Sequence, residues 1–242
     1  ASEVKFRVAK MAGGMSGGTV ASMMNMMEEM KVDPGLSQVL GDPYALNPRN
    51  LPQGKDENDQ TGAIYDEDAK QWTAPFVMAA INTRVVRRTN ALLNNQYGED
   101  FRYSEAMFTG RGPSGFIKAS MISIASALFM LLAYFSPTRS LLKRVVPAPG
   151  EGPSPEDIEK GFFNVELFGR HPKDADKNMR VVVTGDKDPG YGATSKMLVE
   201  SAVCLARDDL DVAGGFWTPA TAMGSTLIKR LQANAGMTFE IK

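Results

Sequence analysis

Cysteine and histidine are almost missing from this chain: 242 residues hold one of each, Cys204 and His171. A lone cysteine closes no intramolecular disulfide, which excludes a disulfide scaffold and points to a reducing compartment. One Cys and one His cannot make a Cys/His zinc site, so no metal ligand set is assigned. Histidine base catalysis could rest only on His171, which lies in a polar turn before Pro172 and reads as a surface residue. A surplus of either charge is also lacking, with 27 Lys and Arg against 28 Asp and Glu. That balance argues against a protein that binds nucleic acid by neutralising phosphates. The opening ASEVKFRVAK has no apolar signal-peptide core, so a cytoplasmic location is expected, with membrane association as a second option. No repeat of solenoid length is visible.

What is present is a globular composition, 43 % apolar and 23 % charged, long enough to bury a core. Residues 4–10 alternate apolar and charged as a half-buried strand does. The glycine-rich loop GGMSGGT (13–19) follows. Thr19 is then expected to cap a helix over 20–30, which Asp33-Pro34-Gly35 stops. Residues 36–68 read as a long surface excursion with little regular structure. A helix over 77–93 and a strand over 101–108 come next.

Ala119 to Phe135 carries no charge. Its seventeen residues would make about 25 Å of helix, short of a hydrocarbon core of about 30 Å. Met121, Ile124, Leu128, Leu131 and Phe135 form one stripe, and the favoured reading is a helix buried in the core. An interfacial or hydrophobic-ligand helix and a spanning segment are the alternatives. APGEGPSPE (148–156) reads as a linker. FFNVELFG (162–169) and MRVVVTG (179–185) form an expected hairpin, helices follow near 193–207 and after Thr218, and TFEIK closes as a strand.

Four motifs invite chemistry. GGMSGGT sits between a strand and a helix, where free amides and the helix dipole could hold an anion; a tight turn is the plainer reading. GYGATS (190–195) imitates a dinucleotide fingerprint, but its third glycine is Ser195 and its preceding strand belongs to a hairpin. Arg84, Arg87 and Arg88 cluster on one helix and could clamp a carboxylate or phosphate, or pair with acids of the 56–68 loop. Tyr191 and Lys196 could serve as acid or base, although nothing in the sequence orients them. Cys204, beside Val203 and Leu205, reads as an inert buried thiol. The methionines of 23–30 read as core or interface packing, or as a pliable lipid-binding surface.

Six phrases then occur in order: GGMSGGTVAS, WTAPFVMAAINTRVVRRTNALL, FRYSEAM, PAPGEGPS, DPGYGATSKMLVESAVCLA and GGFWTPATAMGSTLIKRL. Together they make the chain resemble the C-terminal portion of the saccharopine dehydrogenase-like oxidoreductases, including the bacterial trans-acting enoyl reductase group. The resemblance implies a mixed sheet with helices on one face, in agreement with the order of strands and helices: an α/β chain of α+β character, largely antiparallel. It implies a substrate-binding and dimerisation domain over 1–215, and a terminal helix and strand (216–242) that pack on a nucleotide-binding domain. The family's NAD(P) is held by an N-terminal Rossmann domain, which no motif before residue 13 supplies. No cofactor-binding or catalytic residue is therefore assigned, and no cofactor is expected on this chain alone.

In this reading the chain shapes the acceptor pocket, and the candidate lining residues are Ser16, Gly17, Gly18, Trp72, Phe76, Asn82, Arg84 and Tyr191. A homodimer is expected, and nucleic acid is not. The alternative is a non-catalytic module that holds a lipid, a membrane face or a partner through the methionine-rich and 119–135 surfaces.

Overall fold

Alternation along the first strand sets the plan of the molecule, because successive strand residues face opposite sides of a sheet. The computed structural model describes residues 1–14, 16–51, 54–56 and 58–242. Met15 of GGMSGGT and Pro52, Gln53 and Glu57 of the 36–68 excursion lie outside the described residues. The elements are β1 (Glu3–Ala12), α1 (Gly17–Val32), α2 (Pro34–Gly41), β2 (Ile64–Asp66), β3 (Gln71–Pro75), α3 (Ala79–Leu92), β4 (Arg102–Gly110) and α4 (Gly112–Tyr134). They continue with α5 (Ser136–Leu142), α6 (Pro155–Lys160), β5 (Phe162–Arg170), β6 (Met179–Gly185), α7 (Gly192–Arg207), α8 (Pro219–Asn234) and β7 (Met237–Ile241).

The strands form one sheet in the order β2-β3-β4-β1-β5-β6-β7. Among the described residues only β1 and β4 pair in parallel, and the other pairs are antiparallel. The α/β class and the largely antiparallel mixed sheet are as the sequence predicts. The hairpin is there too, with Phe163 opposite Gly185 and Gly169 opposite Met179.

Register separates the two faces. Phe6 lies beside Glu105, and Val8 beside Val165, which in turn faces Val183. On this side Asn82 of α3 bonds to Glu105, and Leu231 of α8 packs with Phe163, Val183 and Phe239. The opposite face carries Lys5, Arg7, Glu166 and Arg180. They are tied into ion pairs: Lys5–Asp68 at 2.7 Å, Arg7–Asp66 at 2.7 Å and Arg180–Glu166 at 2.8 Å. Helix α8 runs beside α7, and β7 joins the sheet edge next to β6.

Three expectations need correction. Ser16, not Thr19, caps α1: its Oγ accepts from the Thr19 amide at 2.9 Å, so the helix starts inside the glycine-rich run. The 36–68 excursion is more ordered than its composition suggests. Asp33 accepts from Gly35 N at 2.8 Å and Pro34 opens a helix, so the segment that stops α1 also starts α2. The third correction is the largest. The 119–135 helix is not a core helix: only Gly115, Ala119 and Ala133 of α4 are buried, and the stripe Met121, Ile124, Leu128, Leu131 and Phe135 faces outward. Small residues let α4 approach β3 and β4, and its large ones were never the packing face.

Candidate functional site

Three of the six phrases converge at the C-terminal end of β1. Beyond Ala12 the chain passes Gly13 and Gly14 into the N-cap Ser16 and the first turn of α1. The 148–154 segment lies against that turn, with Gly17 N–H donating to the Glu151 carbonyl at 2.9 Å. A Cβ on Gly17 would collide with the Ala148 carbonyl, so the two backbones touch where only glycine fits. The 188–192 turn closes the third side. Gly190 lies over the Gly14 carbonyl, and the Tyr191 ring lies over Gly152, its Oη 3.0 Å from where a Cβ would stand.

Asp188 organises this junction. It is fully buried, and its Oδ2 accepts from Tyr191 N at 2.6 Å. Its own amide donates to the Ile158 carbonyl at 3.2 Å, and its carbonyl accepts from Ala193 N at 2.8 Å. Among the described residues its Oδ1 has no hydrogen-bond partner, and it is pressed against Gly13, where any Cβ would overlap it. Leaving such an oxygen unsatisfied costs on the order of 1–3 kcal/mol. Beside the junction lies a cavity of about 260 Å³, lined by Gly13, Gly14, Pro153, Asp157 and Lys160 among others. Sequence reasoning named Tyr191 but passed over Asp188. The Asp-Pro-Gly turn signal was visible, but the long-range contact with Gly13 was not.

The geometry tests two motifs directly. The GYGATS segment does not fit a dinucleotide pyrophosphate: β6 before it is antiparallel to both neighbours, and the Asp188 carboxylate already occupies the Tyr191 amide. At the start of α1, Thr19 N is taken by Ser16 Oγ and Gly17 N by the Glu151 carbonyl. These amides serve the fold.

Candidate residues Ser16, Gly17, Gly18 and Tyr191 thus meet across the 148–154 segment. The remaining four lie elsewhere. Trp72 sits at the seam of β3 and α4, its ring centroid 4.7 Å from Phe116 and 5.4 Å from Tyr65. Phe76 stacks on Phe6 at 6.3 Å. Asn82 and Arg84 belong to a buried polar network between α3 and β4. There Asn82 Nδ2 and Tyr103 Oη both donate to the Glu105 carboxylate at 2.9 Å. Burial holds the Glu105 carboxyl above its usual range against the pull of these two hydrogen bonds, and burial also raises the Tyr103 phenol.

Arg84 pairs with Asp59, and Thr83 donates to the same carboxylate. Arg87 pairs with Asp56 at 2.9 Å and donates to the Pro43 and Tyr103 carbonyls. Arg88 reaches the Leu46 and Phe216 carbonyls. The arginines therefore bind the acidic excursion onto the domain, beside a polar cavity of about 280 Å³ that includes Arg7, Gln60, Asp66 and Thr73. His171 is half-buried in the β5–β6 turn, where its amide donates to Asn178 at 2.8 Å. Cys204 is fully buried, and burial pushes its thiol pKa up, as an unreactive cysteine requires. Among the described residues no cluster of three metal-ligating side chains occurs.

The fold and junction define an α/β domain with a mixed sheet, in which three glycine-rich phrases gather at one end of the central strands. No family model matches the chain, and no solved structure matches it. Among curated proteins it is 40 % identical, over 249 residues, to a Mycobacterium tuberculosis (strain H37Rv) protein provisionally named a trans-acting enoyl reductase, covering 96 % of this chain and 58 % of that protein. It is 36 % identical to the trans-acting enoyl reductase of Mycobacterium ulcerans over 89 % of this chain and 54 % of the relative. With the Mycobacterium bovis BCG enzyme of the same name the identity is 34 % over 90 % and 54 %. The chain spans somewhat over half the length of the curated relatives it matches. These relatives support the resemblance to the enoyl reductase group.

Proposed function

We propose that this chain is the substrate-binding and self-associating portion of an NAD(P)-dependent oxidoreductase that reduces an enoyl acceptor. The observation that carries the reading is the junction itself. The GGMSGGT (13–19), PAPGEGPS (147–154) and DPGYGATS (188–195) phrases are far apart in sequence, yet they meet in close contact around Asp188. Such a built junction beside a cavity is where an acceptor would be oriented and shielded from water. The names of the mycobacterial relatives supply the reaction class. The dinucleotide is assigned to no residue of this chain, because GYGATS does not fit it. The reading therefore places the hydride donor on a separate nucleotide-binding domain, while residues 216–242 complete this chain's own sheet and core through β7 and Leu231.

The test has two arms. Hydrogen exchange of the chain with an enoyl thioester is expected to protect 13–18, 148–154 and 188–192, whereas NADPH alone protects none of them. Fused to a dinucleotide-binding domain from a mycobacterial relative, the chain is expected to consume NADPH in the presence of the thioester. Tight NADPH binding by the chain alone, or no response to the thioester, contradicts the reading. Sedimentation equilibrium tests self-association, with a dimer expected.

A further inference from the structure

Among the described residues the outer face of α4 has no partner. Of the most apolar eighteen-residue window in this helix, 17 % is buried. Met121 is 65 % exposed, Ile124 67 % and Leu128 50 %. Leu141 of α5 and Val145 beyond it are exposed as well. A contiguous patch of this kind on a folded protein marks an interaction surface.

Charge identifies the occupant. From Ala106 to Gly150 the sequence holds no acidic residue, and its charged residues are Arg111, Lys118, Arg139, Lys143 and Arg144. Arg139 is buried and paired with Glu28 at 3.1 Å. The other four are exposed and make no ion pair among the described residues, unlike the paired Arg and Lys of the sheet face. In sequence they flank the apolar stripe at both ends. A second copy seated on this patch would bring like charges together whichever way it ran, which costs rather than gains energy. A bilayer with anionic headgroups meets both requirements, taking the apolar stripe into its acyl boundary and the four cations onto its phosphates.

Both ends of α4 are held on the domain. Thr109 Oγ1 donates to the Gly115 carbonyl at 2.9 Å, Lys31 lies over the Tyr134 ring at 4.6 Å, and Arg139 donates to the Ala133 carbonyl at 3.2 Å. A helix tied at both ends lies along a surface rather than across it.

We propose that α4 and α5 form an in-plane docking surface for an anionic membrane. The inference stands apart from the oxidoreductase reading. Its test is co-sedimentation of the whole chain with vesicles of phosphatidylcholine alone and of phosphatidylcholine mixed with phosphatidylglycerol, at low and high salt. Binding is expected to the anionic vesicles and to weaken with salt. Lys143→Glu with Arg144→Glu is expected to weaken it about thirtyfold or more, and Leu128→Glu with Leu131→Glu to abolish it. Circular dichroism keeps folding in view, and both pairs sit on exposed positions. Equal binding to neutral vesicles, no binding, or resistance to alkaline extraction as a spanning helix overturns the proposal. Concentration-dependent self-association abolished by the Leu128/Leu131 pair, without lipid binding, also overturns it and gives the face to a second copy.

Discussion

Helices α3 and α4 both pack against β4 and bury opposite kinds of side chain. In α3 the buried set includes Thr83, Arg84, Arg87, Thr89 and Asn90, while Ile81 is 60 % exposed. In α4, with no charge after Lys118, the buried set is Gly115, Ala119 and Ala133. Composition alone would have reversed the two. The difference is in partners. The 54–60 segment brings Asp56 and Asp59 to the arginines of α3, so burying those charges is compensated by pairing and hydrogen bonds. Among the described residues no element comes to cover the stripe of α4. A polar helix goes inside where its chain supplies counter-charges, and an apolar one stays outside where close approach to the sheet is made by small residues.

The largest effect is expected from breaking the α3 network. Arg87→Ala leaves Asp56 buried without its guanidinium and should cost about 3–5 kcal/mol, read from urea unfolding; a loss typical of a surface substitution would contradict the network's role. Gly115→Ala comes next. Its Cβ would run into the Gly110 carbonyl and meet the Trp72 ring at 3.3 Å. The overpacking cost of about 1–3 kcal/mol should outweigh the gain in helix propensity of up to about 1 kcal/mol. Unchanged stability and Trp fluorescence would show that α4 is not held there.

Glu105→Gln sharpens the comparison through pH. A carboxyl whose pKa is raised by folding binds its proton more tightly in the folded state, so its ionisation costs stability as pH rises from about 4.3 through the raised value. Stability of the wild type relative to the variant should therefore fall across that window. Carboxylates with lowered values, such as Asp208, which Arg230 holds down at about 2, are common to both proteins and cancel in the difference. A difference independent of pH would mean that Glu105 titrates as an exposed carboxyl. The smallest effect is expected at Leu128→Ser, within about 0.5 kcal/mol for a position open to solvent. A loss of several kcal/mol would put α4 back in a core.

Strands and most helices were legible because alternation and helical period are local, and so β1, β4 and the β5–β6 hairpin fall where the pattern places them. The cap of α1 was ambiguous, since Ser16 and Thr19 are both capping types, and the choice depends on how Gly17 packs under Ala148. The outward stripe of α4 was visible as a stripe, but period does not say which side of a helix meets the sheet. The pairing of α3 arginines with the acidic excursion was one of two readings that charge alone allowed. The junction was legible only as separate phrases. It takes the neighbouring positions of β1, β5 and β6 to bring Gly13, Gly161 and Asp188 together.

Methionine oxidation by dilute peroxide, followed by peptide mass spectrometry of the isolated chain, tests the inversion most directly. Met121 and Met130 on α4 should oxidise as fast as the exposed Met11 and Met179, and well before Met24 and Met27 buried on α1. If Met121 and Met130 are instead as slow as Met24, the face of α4 is covered in the isolated chain and the account of it as an unpartnered surface is wrong.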